Sequence, residues 1–465
     1  ETLSTADEVW LRTARHPTVA GLPSTLTVHS FDSLYEAVER PEQVYLAIAE
    51  QVLTLGSRPA GVIYAVPGHP HVAEASVQLI RQRAAERGLA VRLVAGLSFV
   101  EPALELLGLD ALPQLQLADA LELAGRHHPP FHPDAPALVA QLYSAGLASD
   151  VKLTLMNQYP DEHPVRLVHA AGTDAESLEE LPLYEIDRSA KISHLTALYV
   201  PPLPRPSAFE TFQETIAHLR APEGCPWDRE QTHQSLRRNL LEETYEVLHA
   251  LDADDPEAMR EEFGDLLLQI VLHAQIATEA GEYSMADVIA EIQAKIIRRH
   301  PHVFGEVKVA GAADVVHKWE QLKAEERKHK PQPAGVLGEA PRGLPALAQA
   351  ETCQKRAARV GFDWPDAAGV RAKVAEELAE VAAAAAPEAR VHEIGDLLFA
   401  VVNWARWLEV EPESALREAN ARFAARFAHM EAAAQAQGRA LNQLSVEEWD
   451  GLWEQAKRAL GGNGA

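Results

Sequence analysis

The sequence predicts a multidomain protein in which an α/β domain with a mostly parallel sheet precedes two all-α helical-bundle repeats. Three observations lead to this fold class. Helix and strand signals alternate before residue 207, strand signals then give way to Ala, Glu, Leu, Gln and Arg at helical spacing, and one acidic pattern occurs twice in the helical part. We therefore predict an α/β domain at 1–203, a first repeat at 207–330 and a second repeat at 344–465.

Proline-rich stretches support these boundaries. PPLPRPS covers residues 201–207, and KPQPAGVLGEAPRG covers residues 330–343. Such stretches are stiff and extended, and they are typical of joints between domains.

The α/β prediction follows from alternating segments in the first 203 residues. Helical signals occur at 35–55, 72–88 and 102–110, and strand signals occur at GVIYAV (61–66), AVRLVAG (90–96), VKLTLMNQY (151–159) and PVRLVHAAG (164–172). This alternation is typical of crossover units, which build parallel sheets. An alanine run at 382–386, by contrast, is interpreted only as a helix end before Pro387.

Composition restricts the possible partners. The chain has 465 residues, 47% of them apolar, and a formal net charge of −26, which argues against general affinity for nucleic acid or anionic membranes. Two cysteines, Cys225 and Cys353, are too few for a disulfide framework. The sequence has neither a basic leader nor an apolar run approaching about 18 residues. We expect a soluble cytoplasmic protein.

The duplicated acidic pattern is the main clue to function. Each copy reads EExxE, then ExGD directly before an apolar stretch. The acidic residues are Glu242, Glu243, Glu246, Glu262 and Asp265 in the first copy, and Glu376, Glu377, Glu380, Glu393 and Asp396 in the second. A helix places positions i, i+3 and i+4 on one face, so two adjacent helices would bring four or five carboxylates together.

Solvated helix faces are the alternative explanation for paired glutamates. The ExGD element argues against it, because Asp265 and Asp396 precede apolar runs and uncompensated carboxylates at the edge of a core are costly. Crowded carboxylates repel one another unless a cation lies among them. Hard oxygen ligands suit Mg²⁺, or Mn²⁺ as a substitute, and Mg²⁺ commonly binds together with a phosphate-bearing substrate.

Basic pairs follow each acidic pattern. Each pair, with spacing i and i+4, shares a helix face and indicates either a phosphate clamp or ion pairs with nearby glutamates. The pairs are Lys295 with Arg299, and Arg422 with Arg426. A Trp-xxx-Lys motif then recurs as Trp319 with Lys323, and Trp453 with Lys457. The tryptophans either stack on a nucleobase or pack in a core, and the shared order indicates duplication of a helical unit.

These motifs together resemble the MazG family of nucleoside triphosphate pyrophosphohydrolases over roughly residues 207–465. The first repeat contributes EGCPWD, EETYEVLHAL, EFGDLLLQIVLHAQI, KIIRRHPHVFG and WEQLKAEER, and the second contributes QKRAARVGFDW and EIGDLLFAVVNWARWLE. The resemblance implies all-helical units that bind Mg²⁺, convert nucleoside triphosphates to monophosphates and pyrophosphate, and form homodimers or higher homo-oligomers.

The resemblance also implies roles for individual residues. The metal ligands would be Glu243, Glu246, Glu262 and Asp265 in the first repeat, and Glu377, Glu380, Glu393 and Asp396 in the second. Glu242 and Glu376 would be further ligands or the catalytic base that orients water. Substrate would be bound by Lys295, Arg299, Trp319, Lys323, Arg422, Arg426, Trp453 and Lys457. Arg422 stands where the family usually has lysine. The family pattern favours the second repeat as the working one, although both carboxylate sets are intact.

The first third resembles the tetrapyrrole (corrin/porphyrin) methylases more weakly. The similar segments are VPGHPHVAE, LVAGLSFVEPALELLGLD and LASDVKLTLMNQYPDEHPVRLV. The glycine-rich GxGPGD segment of that family is not found in this sequence, and His69 stands where methylases commonly carry an acidic residue. We therefore expect an incomplete, degenerate methylase-like domain that binds a ligand or regulates.

The sequence thus predicts a Mg²⁺-dependent nucleoside triphosphate pyrophosphohydrolase that cleaves the α–β linkage and serves the nucleotide pool. Three alternatives stay open. They are an S-adenosylmethionine-dependent methyltransferase, a non-catalytic helical scaffold, and a phosphatase that releases orthophosphate.

Overall fold

The computed structural model describes residues 3–37, 41–312 and 344–460, together with isolated residues at 314, 315, 318, 319, 322, 326, 336 and 337. The chain divides into two compact units, Glu1–Gln231 and Thr232–Ala465. The three domains proposed from the sequence stay a prediction. No helix in the described part of the chain is both long enough and apolar enough to cross a membrane.

A three-stranded parallel sheet begins the first unit. Its strands are β1 (Glu8–Leu11), β2 (Thr27–Ser30) and β3 (Tyr64–Ala65), in the order β2-β1-β3. The helices that accompany it are α1 (Asp32–Ala37), α2 (Pro41–Gly56) and α3 (Ala75–Glu86). Val44, Ile48 and Val52 recur every fourth residue of α2 and are buried in one apolar cluster with Ile80 of α3.

A second, five-stranded sheet completes this unit. Its strands are β4 (Gln116–Asp119), β5 (Ala137–Ala140), β6 (Pro164–His169), β7 (Ser177–Pro182) and β8 (Thr196–Val200), in the order β4-β5-β8-β6-β7. β4 and β5 are parallel, and the other pairs are antiparallel. The helix α4 (Val100–Leu107) precedes β4 in the chain, and α5 (Ala120–Ala124) and α6 (Ala145–Leu155) follow β4 and β5. The predicted α/β class is confirmed.

One predicted strand is wrong because it lies in a helix. Residues 151–155 of VKLTLMNQY belong to α6. The side chain of Ser144 accepts a hydrogen bond from the Leu147 backbone N–H at 3.2 Å and caps the helix start. Leu147, Val151 and Leu155 then recur every fourth residue and are buried, so the apolar period is helical.

A second predicted strand, at 90–96, is also not observed. No β pairing occurs in this segment, and Val91, Leu93 and Val94 are exposed. A strand requires backbone hydrogen bonds to a neighbouring strand, and this segment pairs with no strand of the described residues. The predicted strand at 61–66 is shorter than expected, because only Tyr64 and Ala65 pair with β1.

Beyond residue 207 the described chain is helical, as predicted. Helices α7 (Phe209–Arg220) and α8 (Pro226–Glu230) end the first unit. The second unit contains α9 (Arg237–Asp252), α10 (Pro256–Ala280), α11 (Met285–Arg299), α12 (Pro301–Phe304), α13 (Ala346–Ala358), α14 (Ala367–Ala383), α15 (Pro387–Trp407), α16 (Pro412–Ala436) and α17 (Val446–Leu460).

Two helical hairpins, α9–α10 and α14–α15, carry the acidic motifs. Asp255 caps the start of α10 by accepting hydrogen bonds from two backbone N–H groups, and Pro256 occupies the first turn. In the second hairpin, α14 ends at Ala383 and α15 begins at Pro387. The alanine run therefore is a helix end, as predicted. Each hairpin places EExxE on its first helix and ExGD on its second.

The ExGD helices leave apolar stripes exposed instead of burying them. Phe263, Leu267 and Ile270 lie along one face of α10, spaced by four and three residues. The corresponding residues of α15 are Ile394, Leu398 and Val401. All six are between 38% and 51% exposed. The apolar run after each aspartate is therefore buried only in part within this chain.

Candidate functional site

The first hairpin brings three carboxylates together. Glu243 and Glu246 lie three residues apart on α9, and Glu262 faces them from α10. One oxygen from each lies within 4.8 Å of the other two. Glu243 and Glu262 are half-buried, whereas Glu246 is exposed. We call these residues the first trio.

The second hairpin repeats this arrangement. Glu377 and Glu380 of α14 face Glu393 of α15, again with one oxygen from each within 4.8 Å of the others. Glu377 is only 5% exposed, and its Oε2 is buried without a hydrogen-bond partner among the described residues. A buried, unpartnered carboxylate oxygen is costly unless a cation or donor satisfies it. We call these residues the second trio.

The other four predicted acidic residues lie outside the two trios. Asp265 is half-buried, and its charge acts on both Glu243 and Glu262. Asp396 is exposed, which differs from the expectation that it lies at the edge of a core. Glu242 is exposed, and Glu376 is exposed and binds a lysine described below.

Burial and neighbouring negative charge raise the pKa values of carboxyl groups in both trios. Burial first, and then the neighbouring Glu246, Asp265 and Glu262, raises the pKa of Glu243. Burial and the charges of nearby acidic residues, Glu246 first, likewise raise the pKa of Glu262. In the second trio, burial and then the charge of Glu377 raise the pKa of Glu380. Each trio thus concentrates unfavourable negative charge.

The donor set fits a hard divalent cation. All six trio side chains are carboxylates, which Mg²⁺ and Mn²⁺ prefer over softer ligands. The raised pKa values of Glu243 and Glu380 and the unpartnered Oε2 of Glu377 indicate charge that is not satisfied within the protein. The assignment of the sequence-predicted metal ligands nevertheless stays a prediction.

A lysine that the sequence analysis missed contacts the second trio. Lys373 Nζ lies 2.8 Å from Glu377 Oε1 and 2.9 Å from Glu376 Oε1. These contacts, with Glu377 first, raise the pKa of Lys373. Its position three and four residues before the glutamates could have revealed it. The first repeat has Asn239 at the equivalent position.

The basic pair of the first repeat does not contact the trio in the described part of the chain. Arg299 Nη2 lies 2.5 Å from Glu326 Oε2, and its guanidinium lies 5.6 Å from the ring centre of Trp319. Lys295 is half-buried. The predicted substrate residue Lys323 lies outside the described residues.

The basic residues of the second repeat also have other neighbours. Arg422 pairs with Glu418 at 3.2 Å, and Lys457 pairs with Glu454 at 2.7 Å. The guanidinium of Arg426 lies 5.8 Å from the ring centre of Trp453. Trp453 itself is half-buried and packs against the apolar cluster of α16 and α17. The assignment of these residues to substrate stays a prediction.

Comparisons with known families give two matches. Residues 231–304 match the MazG nucleotide pyrophosphohydrolase domain. Residues 1–187 match the Tetrapyrrole (Corrin/Porphyrin) Methylases.

Individual relatives cover either the whole chain or its helical part. The uncharacterized protein YabN of Bacillus subtilis is 40% identical over 469 residues, which is 98% of this chain and 94% of the relative. The nucleoside triphosphate pyrophosphohydrolase/pyrophosphatase MazG of Thermotoga maritima is 45% identical over 249 residues, which is 54% of this chain and 95% of the relative. The nucleoside triphosphate pyrophosphohydrolase of Escherichia coli K12 is also 45% identical, over 52% of this chain and 94% of the relative.

Among solved structures, uroporphyrin-III-C-methyltransferase from Thermus thermophilus aligns with 43% of this chain and 84% of its own length. The sequence identity is 18%, and the TM-score is 0.34.

Proposed function

Because this chain belongs to the MazG family of nucleoside triphosphate pyrophosphohydrolases, we propose that it is a hydrolase that converts nucleoside triphosphates to monophosphates and pyrophosphate. The observation that carries the proposal is the duplicated carboxylate trio, which each repeat forms on a hairpin of two helices. A triphosphate is strongly anionic, so it requires a cation to approach such a site. Housekeeping of the cytoplasmic nucleotide pool is the proposed role.

Mg²⁺ is the proposed cofactor, and Mn²⁺ is a possible substitute. Two sets of carboxylates would hold it. They are Glu243, Glu246 and Glu262 with Asp265 nearby, and Glu377, Glu380 and Glu393 with Asp396 on the same helix as Glu393. When bound, the ion would neutralise phosphate oxygens and act as a Lewis acid.

The basic residues would bind and orient the phosphate chain. Arg422 and Arg426 lie four residues apart on α16, so they share a helix face and can form forked hydrogen bonds to phosphate oxygens. Lys295 and Arg299 have the same spacing on α11. Such donors stabilise the charge that develops on pyrophosphate as it leaves.

Exposed carboxylates beside the trios would orient the attacking water. Glu376 precedes Glu377 on α14, and Glu242 precedes Glu243 on α9; both are exposed. Each can accept a hydrogen bond from water and take up its proton at a carboxylate oxygen. Trp453 and Lys457 complete the proposed nucleotide contacts in the second repeat, and Trp319 and Lys323 complete them in the first.

Self-association through the exposed stripes of α10 and α15 is part of the proposal. Equivalent apolar residues, Leu267 and Leu398 among them, are exposed on the helices that contribute Glu262 and Glu393. Covering them with a second copy would remove apolar surface from water. A homodimer, or a higher homo-oligomer, is therefore the proposed assembly.

Methyl transfer is a second candidate function because residues 1–187 match the tetrapyrrole methylases. It requires S-adenosylmethionine to bind the first unit. Isothermal titration of the full chain with S-adenosylmethionine tests this requirement, and the absence of binding would eliminate the methyltransferase alternative.

A panel of ribo- and deoxyribonucleoside triphosphates tests the main proposal. The full chain is incubated with each at millimolar Mg²⁺, and ion chromatography separates the products. We expect nucleoside monophosphate and pyrophosphate in equal amounts, with no product when EDTA replaces Mg²⁺. Orthophosphate instead of pyrophosphate would indicate a phosphatase, and the absence of any product would indicate a scaffold.

A further inference from the structure

We propose that Glu326 competes with the triphosphate for the arginines of the first repeat and thereby weakens substrate binding there; this inference rests on the proposed function. Glu326 binds both arginines at the end of α11. Its Oε1 accepts hydrogen bonds from Arg298 Nη2 at 2.5 Å and Nε at 2.8 Å, and its Oε2 accepts one from Arg299 Nη2 at 2.5 Å. Arg299 Nε also lies 3.2 Å from this oxygen.

The contacts use the donors that phosphate recognition requires. An arginine binds a carboxylate or a phosphate through two parallel N–H groups, and here the Nε and Nη2 groups of both arginines face Glu326. A phosphate that approaches this edge must therefore displace the carboxylate or accept fewer hydrogen bonds. Since both ligands are anions, they cannot share the position without repulsion.

The ion pair is also shielded and held in place. The side chains of Arg299 and Glu326 are only 17% and 18% exposed, so water screens their attraction less than at an open surface. The guanidinium of Arg299 lies over Trp319. Hydrogen bonds from Arg299 and then Arg298 lower the pKa of Glu326 to about 2, so this carboxylate keeps its charge throughout the neutral range.

The second repeat retains the stacked arginine, but a leucine stands at the position of the competing carboxylate. Glu326 is the seventh residue after Trp319, and the seventh residue after Trp453 is Leu460. Arg426 lies over Trp453 as Arg299 lies over Trp319. No residue in the described part of the chain forms a hydrogen bond or ion pair with Arg426. In the described part of the chain, the two repeats therefore differ in whether a carboxylate is hydrogen-bonded to the stacked arginine.

The first test removes the competitor while the second repeat is silenced. In the full chain carrying Glu393→Gln, pyrophosphate release from ATP reports the first repeat. We expect Glu326→Leu, which introduces the residue of the second repeat, to lower KM about five- to tenfold while kcat changes less than about twofold. Glu326→Gln keeps an uncharged acceptor, so we expect a smaller decrease. An unchanged or higher KM in folded variants would overturn the inference, and a higher KM would assign Glu326 to positioning the arginines.

The reciprocal test adds a competitor to the second repeat. In the full chain carrying Glu262→Gln, we expect Leu460→Glu to raise KM for ATP about fivefold. Leu460→Gln is the matched control of nearly equal size and should leave KM closer to that of the parent. Thermal melts establish that each variant is folded. Equal KM values for the glutamate and glutamine variants would contradict the proposed competition.

Calorimetric titration with inorganic tripolyphosphate separates this inference from the proposed function, because it measures phosphate binding without hydrolysis. If the full chain released no pyrophosphate from any nucleotide, the proposed function would fail. Tighter tripolyphosphate binding by Glu326→Leu than by its parent would still support competition at the arginines. Equal binding by the two proteins would overturn it.

Discussion

Lys373 forms an ion pair with Glu377 of the second trio at a separation of 2.8 Å, and the Glu377 side chain is only 6% exposed. An ammonium group therefore already occupies one side of a site that we propose to bind a divalent cation. No lysine or arginine in the described part of the chain forms an ion pair with the first trio, and Asn239 stands at the position equivalent to Lys373. The two repeats thus differ in the charge beside the trio: a lysine pairs with a glutamate in the second repeat, and an uncharged asparagine stands at that position in the first.

This difference predicts that Lys373→Asn reduces the Mg²⁺ concentration required for half-maximal activity. The substitution removes a positive charge that competes with the ion for Glu377, and we expect a three- to fivefold decrease, about the range of a partly exposed ion pair. In EDTA, the same variant should melt several degrees lower, since Glu377 loses its counter-charge. Mg²⁺ should restore most of that loss.

Lys355→Asn provides a control for removing a helical ion pair elsewhere, because Lys355 binds Glu351 at 2.7 Å on α13. Its Mg²⁺ requirement should equal that of the parent. If Lys373→Asn required more Mg²⁺ than the parent, the lysine would support metal binding instead of competing with it.

Charge removal within the trios distinguishes the two repeats as catalytic sites. We expect Glu393→Gln to lower the rate of pyrophosphate release at least about 100-fold, as for the loss of one positioned charged group in an active site. Glu262→Gln should cost less, because the second repeat is predicted to be the working one. The measurement is kcat for the best triphosphate of the panel.

Glu388→Gln is the matched control, since Glu388 is exposed on the same helix as Glu393 but lies outside the trio. It should retain the activity of the parent. Equal losses from Glu393→Gln and Glu262→Gln would show that both repeats contribute, and a larger loss from Glu262→Gln would reverse the predicted ranking.

Local periodicity explains why the trios could be anticipated from the sequence. Residues three and four positions apart share a helix face, and the short connections at 253–255 and 384–386 return the second helix to the first. Lys373 follows the same local rule. The pairing of Glu326 with Arg299 does not, because 27 residues separate the partners and no periodicity links them.

The pairing of the strands, too, could not be predicted from local sequence periodicity. β5 and β8 are short apolar runs, ALVA and TALYV, and runs of this length have no period that distinguishes a strand from a buried helix. They pair with each other across more than 50 residues, so tertiary contacts determine their structure. Conversely, AVRLVAG has suitable residues for a strand but pairs with no strand in the described part of the chain.

The raised pKa values predict how metal and pH together affect stability. For Glu243, Glu262 and Glu380 the folded pKa exceeds the unfolded value of about 4.3, so their stabilising contribution exists below that pH and is lost as pH rises through the folded pKa. The metal-free protein therefore carries a growing penalty toward neutral pH. Mg²⁺ should relieve it, and its effect on the melting temperature should be larger at pH 8 than at pH 5.

Other carboxylates, such as Glu448, have lowered pKa values and change stability in the opposite direction. The informative quantity is therefore the difference between melting temperatures with Mg²⁺ and with EDTA at each pH. The double variant Glu262→Gln with Glu393→Gln should show a smaller difference at pH 8. A difference that is equal at both pH values in the parent would contradict the assigned metal sites.

The exposed stripe of α15 predicts an effect on assembly. Phe399 is 48% exposed and Leu398 is 51% exposed on the helix that contributes Glu393. Aspartate at either position would place a charge in an apolar interface, where an unpaired charge is costly. We expect Leu398→Asp to shift the full chain from dimer toward monomer in sedimentation equilibrium. Val360→Asp is the control, because Val360 is also exposed but lies outside this helix. A parent that sediments as a monomer would refute the proposed dimer, and an unchanged dimer in Leu398→Asp would place its interface elsewhere.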